Sequence, residues 1–160
     1  MREIKEIIVH CSATKVGQPY TIDKIDIAHR NLGWKGVGYH YVIYADGSVH
    51  KGRNEETVGA HCSGRNTNSL GLCYIGGLDE NGKAADTRTE AQRQSMRRLI
   101  RQLIMDYPTI KQVIGHRDTS PDMNGNGKVD KEEWIKACPC FDAIPEYKSL
   151  VNNWNSGEIE

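Results

Sequence analysis

The sequence predicts a mixed α/β fold, with one central mixed β-sheet flanked by helices. Three observations carry this: the apolar run Ile7-Ile8-Val9, the turn signal Asp46-Gly47 inside an aromatic and β-branched stretch, and a helical apolar stripe after Thr89. A continuous apolar run suits a strand buried on both faces. A capped amphipathic helix supplies one of the covers.

Taken in order, Ile7-Ile8-Val9 leads through Cys11-Ser12-Ala13-Thr14 into a polar loop ending at Thr21. Thr21 is the expected N-cap of a helix from about Ile22 to Leu32, with Ile22, Ile25 and Ala28 or His29 on one face and Gly33 as its stop. His29 reads as a packed or groove-edge histidine rather than a ligand. Residues Gly38 to Tyr44 alternate in strand fashion, and Asp46-Gly47 turns them into an antiparallel partner, Ser48-Val49-His50-Lys51. Further strands are expected at Val58-Gly59-Ala60-His61 and from Ser69 to Gly77. The latter is apolar enough to be central, with Cys73 as a buried, inert thiol. Asp79 to Lys83 forms a turn at the sheet edge.

Thr89 and Gln92 form a capping box, and Met96, Leu99, Ile100, Leu103 and Ile104 make one helical face. Arg93, Arg97, Arg98 and Arg101 take the other face, which reads as solvated. Pro108 ends the helix, and Lys111 to Gly115 forms a strand that delivers His116 at its end. A last short helix around Ile144 to Trp154 is expected to pack on the outside, and the polar tail 155–160 to fray.

At 160 residues the chain is sized for one domain with one core. Lys plus Arg and Asp plus Glu are both 21, so there is no basic excess of the kind that nucleic acid or an anionic membrane attracts. No apolar run reaches the ~20 residues that span a bilayer, and residues 1–6 are too charged for a signal peptide. Synthesis in the cytoplasm is expected, and a monomer. Five cysteines, an odd number, argue for free thiols over a disulfide framework.

His116 and Cys138 stand 22 positions apart (138 − 116), with His116 at a strand end and Pro139 fixing the backbone after Cys138. His10 sits where the first strand leaves the core and is the best third ligand. Two imidazoles and a thiolate suit zinc and leave one coordination position for water or substrate, the arrangement of catalysis rather than scaffolding. Spacing alone does not establish this, because no short pair such as Cys-x-x-Cys or His-Glu-x-x-His is present.

Several motifs then occur in one order: Ile7 to Thr14, Gly33-Trp34 with Gly38-Tyr39-His40, Asp46-Gly47 with Gly52-Arg53, Val58 to His61, Asn68 to Gly71, and Cys138-Pro139 with Phe141-Asp142. That order resembles the type 2 zinc N-acetylmuramoyl-L-alanine amidases, especially the bacteriophage lysozyme-type endolysins, and more distantly the animal peptidoglycan recognition proteins. The resemblance runs from Ile7 to about Phe141. It implies His10, His116 and Cys138 as zinc ligands, Tyr39 as the active-site tyrosine, and Lys136 as the lysine two residues before the cysteine ligand. The implied substrate is peptidoglycan, cut at the amide joining N-acetylmuramic acid to the L-alanine of the stem peptide. Tyr39 and Lys136 suit the donation of hydrogen bonds to a developing oxyanion. Trp34, His61 and Asn68 fall in segments that would line the substrate groove, and Arg65 is a candidate partner for a stem-peptide carboxylate. Such an enzyme would act on the bacterial cell wall after release or export.

The chain departs from that pattern by an insertion at about 119–134. Asp122, Asn124 and Asn126 fall at positions one, three and five of a twelve-residue EF-hand loop, Gly127 at six, the Lys128 carbonyl at seven and Glu133 at twelve. Calcium is therefore a candidate second cofactor, and a surface turn built from Asn-Gly pairs is the alternative reading. Pro121 precludes an incoming helix, while Glu132 to Ala137 is expected as the exiting one. Cys140 is the rival to Cys138, which the family pattern favours because it precedes Pro139. A non-catalytic peptidoglycan-binding module is the alternative reading; such a module would lack the cysteine ligand or the tyrosine, and both are present.

Overall fold

The computed structural model describes residues 2–155; of the tail 155–160 expected to fray, Asn155 closes the last helix and 156–160 lie outside the described residues. Its strands are β1 (Glu6–Cys11), β2 (Thr14–Lys15), β3 (Tyr41–Ile43), β4 (Val49–Lys51), β5 (Ser69–Tyr74), β6 (Gly77–Leu78) and β7 (Gln112–Gly115). Its α-helices are α1 (Ile22–Asn31), α2 (Glu90–Asp106) and α3 (Ala143–Asn155). Five strands form the main sheet in the order β4-β3-β5-β1-β7, while β2 and β6 pair as a small separate ribbon. Within the main sheet, among the described residues, the β3–β4 pair is antiparallel and the other pairs are parallel. The sheet is therefore mixed, as expected.

The central strands β1 and β5 are buried along their whole length, which is why their sequences run apolar without alternation. On one side Ile7, Val9, Leu70 and Leu72 meet Met96, Ile100, Leu103 and Ile104 of α2 in the main core. The capping box forms as predicted, with Gln92 N–H donating to the Thr89 hydroxyl at 3.1 Å and Thr89 N–H to the Gln92 side chain at 2.9 Å. Gln92 then reaches the Ile43 and Ile75 carbonyls and locks α2 to the sheet. On the other side Ile25 of α1 packs with Val37, Val42, Cys73 and Ile75. Thr21 occupies the N-cap position of α1 without a side-chain bond, and the Tyr44 hydroxyl accepts from Ile22 N–H at 2.8 Å instead.

Three expectations are corrected. Val58 to His61 is a loop and not a strand: it shares one backbone bond with its neighbour, Ala60 N–H to Gly38 carbonyl. Gly59 is pressed there against the rings of His40 and His61. Glu132 to Ala137 is not a helix either. A single 3-10 turn, Lys131–Glu133, ends where Trp134 stacks on the Arg117 guanidinium, 3.7 Å from the ring centroid. Finally, α3 is built into the main core through Ala143, Tyr147 and Val151 rather than laid outside it. Those three recur every fourth residue, one face of a helix.

Candidate metal centre

β1 and β7 lie side by side and parallel, with Val9 opposite Gly115, so His10 and His116 leave the same edge of the sheet. Their rings stand 4.6 Å apart. Gly115 makes room for the third group: a Cβ there would sit 2.7 Å from the Pro139 ring, so only glycine lets the 138–139 loop close on β7. Two backbone bonds hold that loop. Arg117 N–H donates to the Cys138 carbonyl at 2.8 Å, and Cys11 N–H donates to Cys138 Sγ at 3.1 Å.

The result is a set of one sulfur and two imidazole nitrogens all within 4.8 Å of one another, from His10, His116 and Cys138. This is the trio expected from sequence. The set fits zinc, since the donors are two imidazoles and one thiolate and one position is left for water or substrate. Cys140 turns away, its thiol donating to the Gly77 carbonyl at 3.4 Å.

The neighbours suit that role. Burial above all, then the nearby His61, His116, Lys136 and His29, holds the His10 imidazole well below its usual pKa, so it stays neutral and able to ligate. Tyr39 lies with its ring 5.1 Å from that of His10. Burial, then the thiols of Cys73, Cys138 and Cys11, pushes its phenol well up, keeping the O–H available as a donor. Lys136 is exposed and shares a small cleft with His116, Thr119, Ser120 and Ile135. Trp34 edges onto His29 at 4.7 Å, and His29 onto Tyr39 at 5.4 Å, so an aromatic wall runs from the surface to the metal trio. His29 is the link that sequence reasoning left as bland. Its Nδ1 accepts from Gly38 N–H at 2.9 Å, which fixes the approach to Tyr39.

The other candidates are placed elsewhere. His61 is buried behind His10, not on a surface. Arg65 grips Glu6 with two bonds of 2.9 and 3.0 Å at the opposite end of β1, about 13 Å of strand from His10. Asn68, at the same end, donates to the Glu3 carbonyl at 2.9 Å. The structure thus brings neither Arg65 nor Asn68 to the trio, and gives Arg65 a carboxylate of its own.

In the insertion, the Asp122 carboxylate accepts from Gly125 and Gly127 N–H at 3.0 and 2.8 Å. Asn124 and Asn126 accept from Asn126 and Lys128 N–H, and Glu133 from Met123, Asn124 and Asp130 N–H. Asp130, at position nine, accepts from both asparagine amides and is a loop residue the sequence reading passed over. These oxygens serve the loop's own backbone and amides.

Comparison with known proteins agrees with the site. The family model described as N-acetylmuramoyl-L-alanine amidase matches residues 1–133. The chain is 41% identical to the endolysin of Enterobacteria phage T3, and 40% to that of Escherichia phage T7. Each alignment covers 96% of this chain and 87% of the relative. Among solved structures, the N-acetylmuramoyl-L-alanine amidase LysC from Clostridium intestinale URNW aligns with a TM-score of 0.69 and 27% identity, over 96% of this chain and 87% of that one. Bumblebee PGRP-SA shares the fold with a TM-score of 0.67 at 22% identity, over 91% of this chain and 80% of that one. Ligand trio, sheet order and relatives agree: the chain belongs to the N-acetylmuramoyl-L-alanine amidase family.

Proposed function

We propose that this protein is a zinc-dependent hydrolase that cuts the amide between N-acetylmuramic acid and the L-alanine of the peptidoglycan stem peptide. The carrying observation is the convergence of His10, His116 and Cys138 within 4.8 Å, with Tyr39 beside His10 and Lys136 lining the same cleft as His116. A zinc ion held by these three would supply a Lewis acid and would lower the pKa of a water molecule to about 7.

The chain's own residues supply the rest. Tyr39 O–H and Lys136 ammonium flank the ligands and donate to the oxygen of the carbonyl as negative charge develops there. The wall of Trp34, His29 and Tyr39 offers aromatic faces to a sugar or peptide and shields the reacting bond from bulk water. Tyr39, Lys136 or a further water passes the proton to the departing amine. The protein works as a monomer on the bacterial wall, reached after release or export. The same reading gives the 122–133 loop a calcium ion that stiffens the segment carrying Lys136 and Cys138; its support is the spacing of Asp122, Asn124, Asn126, Lys128 and Glu133.

The test is metal analysis together with mass spectrometry of digested peptidoglycan. One zinc per chain and free stem peptides with an intact L-alanine amino end are expected. Tight retention on peptidoglycan without released peptides sinks the hydrolase and leaves a binding module.

A further inference from the structure

His61 has no surface and no place in the chemistry above, yet it is built in with care. Its ring is 8% exposed and lies edge-on to that of His10, centroids 5.0 Å apart at 89°. Nδ1 is 2.9 Å from His10 Nε2, and Nε2 is 3.2 Å from the hydroxyl of the fully buried Ser69. Two glycines form its slot: a Cβ on Gly71 would sit 2.6 Å from the ring, and one on Gly59 2.7 Å from it. The Asn66 side chain pins the backbone, accepting from the N–H groups of both His61 and Cys62 at 3.0 and 2.9 Å.

We propose that His61 is the positioning residue of the metal ligand His10: it accepts the Nε2–H of His10 and so fixes the tautomer whose bare Nδ1 faces His116 and Cys138. The inference rests on reading that trio as a metal centre. A nitrogen already engaged in a 2.9 Å hydrogen bond is not free to ligate, which leaves Nδ1 for the metal. The chain of donors then has one direction. His10 Nε2–H gives to His61 Nδ1, and His61 Nε2–H gives to Ser69 Oγ. Ligating histidines commonly rest on a carboxylate or a backbone carbonyl, and loss of such a partner costs 10- to 100-fold in metal affinity. Here the partner is an imidazole, which supports the ligand without adding negative charge behind the metal.

The test is zinc affinity, by competition with a chromogenic chelator, and the tautomer of His10 by nitrogen-15 NMR of the zinc-loaded protein. Wild type is expected to show His10 protonated at Nε2 and metal-bound at Nδ1. His61→Ala weakens zinc by about 10- to 100-fold. His61→Asn, whose amide oxygen takes the place of Nδ1, recovers most of the loss, whereas His61→Gln, which reaches only toward Ser69, does not. The Asn and Gln pair decides the matter if the alanine variant fails to fold. Unchanged affinity in His61→Ala, equal affinities in the Asn and Gln variants, or a His10 bound through Nε2 overturns the proposal alone. Wild type that takes up no zinc overturns the metal reading beneath it.

Discussion

The two ends of β1 are equally buried and polar, and they do opposite things. At its start Glu6, 8% exposed, is met by two bonds from Arg65 and one from Gln112 at 2.8 Å. Charge and lone pairs there are answered from within the protein, so that end is a clamp. At its finish His10, 1% exposed, meets the half-buried His116 and Cys138, and one ligating atom from each of the three lies within 4.8 Å of the others. Two imidazoles and a thiol brought that close form a donor set that suits zinc. Burial and polarity alone do not mark a site; what marks it is the convergence of metal-ligating atoms.

The sharpest way to break this comparison is to replace the ligating sulfur at the other end by a hydroxyl. Cys138→Ser is expected to drop amidase activity to background and zinc content below one per chain, while Cys140→Ser changes neither. The reverse result in zinc analysis would assign the site to the wrong sulfur.

Acid should strike the histidine-lined half. His40, buried between Gly71 N–H and the Thr57 carbonyl, has its pKa lowered to about 4, chiefly by burial. A folded pKa below the usual 6.5 means the unfolded chain binds the proton more readily. Stability from this group is whole above pH 6.5 and is lost as pH falls to about 4, up to roughly tenfold in the folding constant per unit. Urea melts at pH 7, 5.5 and 4 measure it, with the His40 ring signal staying neutral at pH 5.5 in the folded protein.

The clamp end should respond in stability and not in chemistry. Glu6→Gln is expected to cost about 1–2 kcal/mol, read as a lower urea midpoint, with zinc content and turnover per folded molecule kept. A loss of turnover at unchanged zinc would return Arg65 to the substrate side. The smallest effect is expected at the 122–133 loop, where calcium at fixed zinc should raise the melting temperature by a few degrees. Identical melting and activity with and without calcium would leave the loop a turn.

Much of this was legible because it is local. The hairpin at Asp46-Gly47, the Thr89–Gln92 box and the stripe Met96, Ile100, Leu103 and Ile104 are each written within one or two turns of chain. The metal trio is the opposite: positions 10, 116 and 138 meet only because β1 and β7 run side by side, and spacing carries no trace of that. The ordered motifs and their family resemblance supplied what periodicity lacked. Val58 to His61 misled because a β-branched residue followed by alternating small ones looks like a strand, when its glycine serves the His61 slot. Gly59 and Gly71 were the available signal for His61, since both are spent on making room for one ring. The loop 122–133 reads clearly as a pattern, yet its oxygens turn to its own N–H groups, and Arg65 reads as free until Glu6 is seen across the fold.

The insertion leaves the body after Ser120 and returns at Ile135, whose N–H donates to the Ser120 hydroxyl at 3.1 Å. Arg117, held by Asp142 on one side and under Trp134 on the other, seals the seam below it. Departure and return points therefore touch, so the number of residues looped out between them is decoupled from the separation of His116 and Cys138. That neck is a natural splice point, where a shorter turn would leave His116 and Cys138 in register.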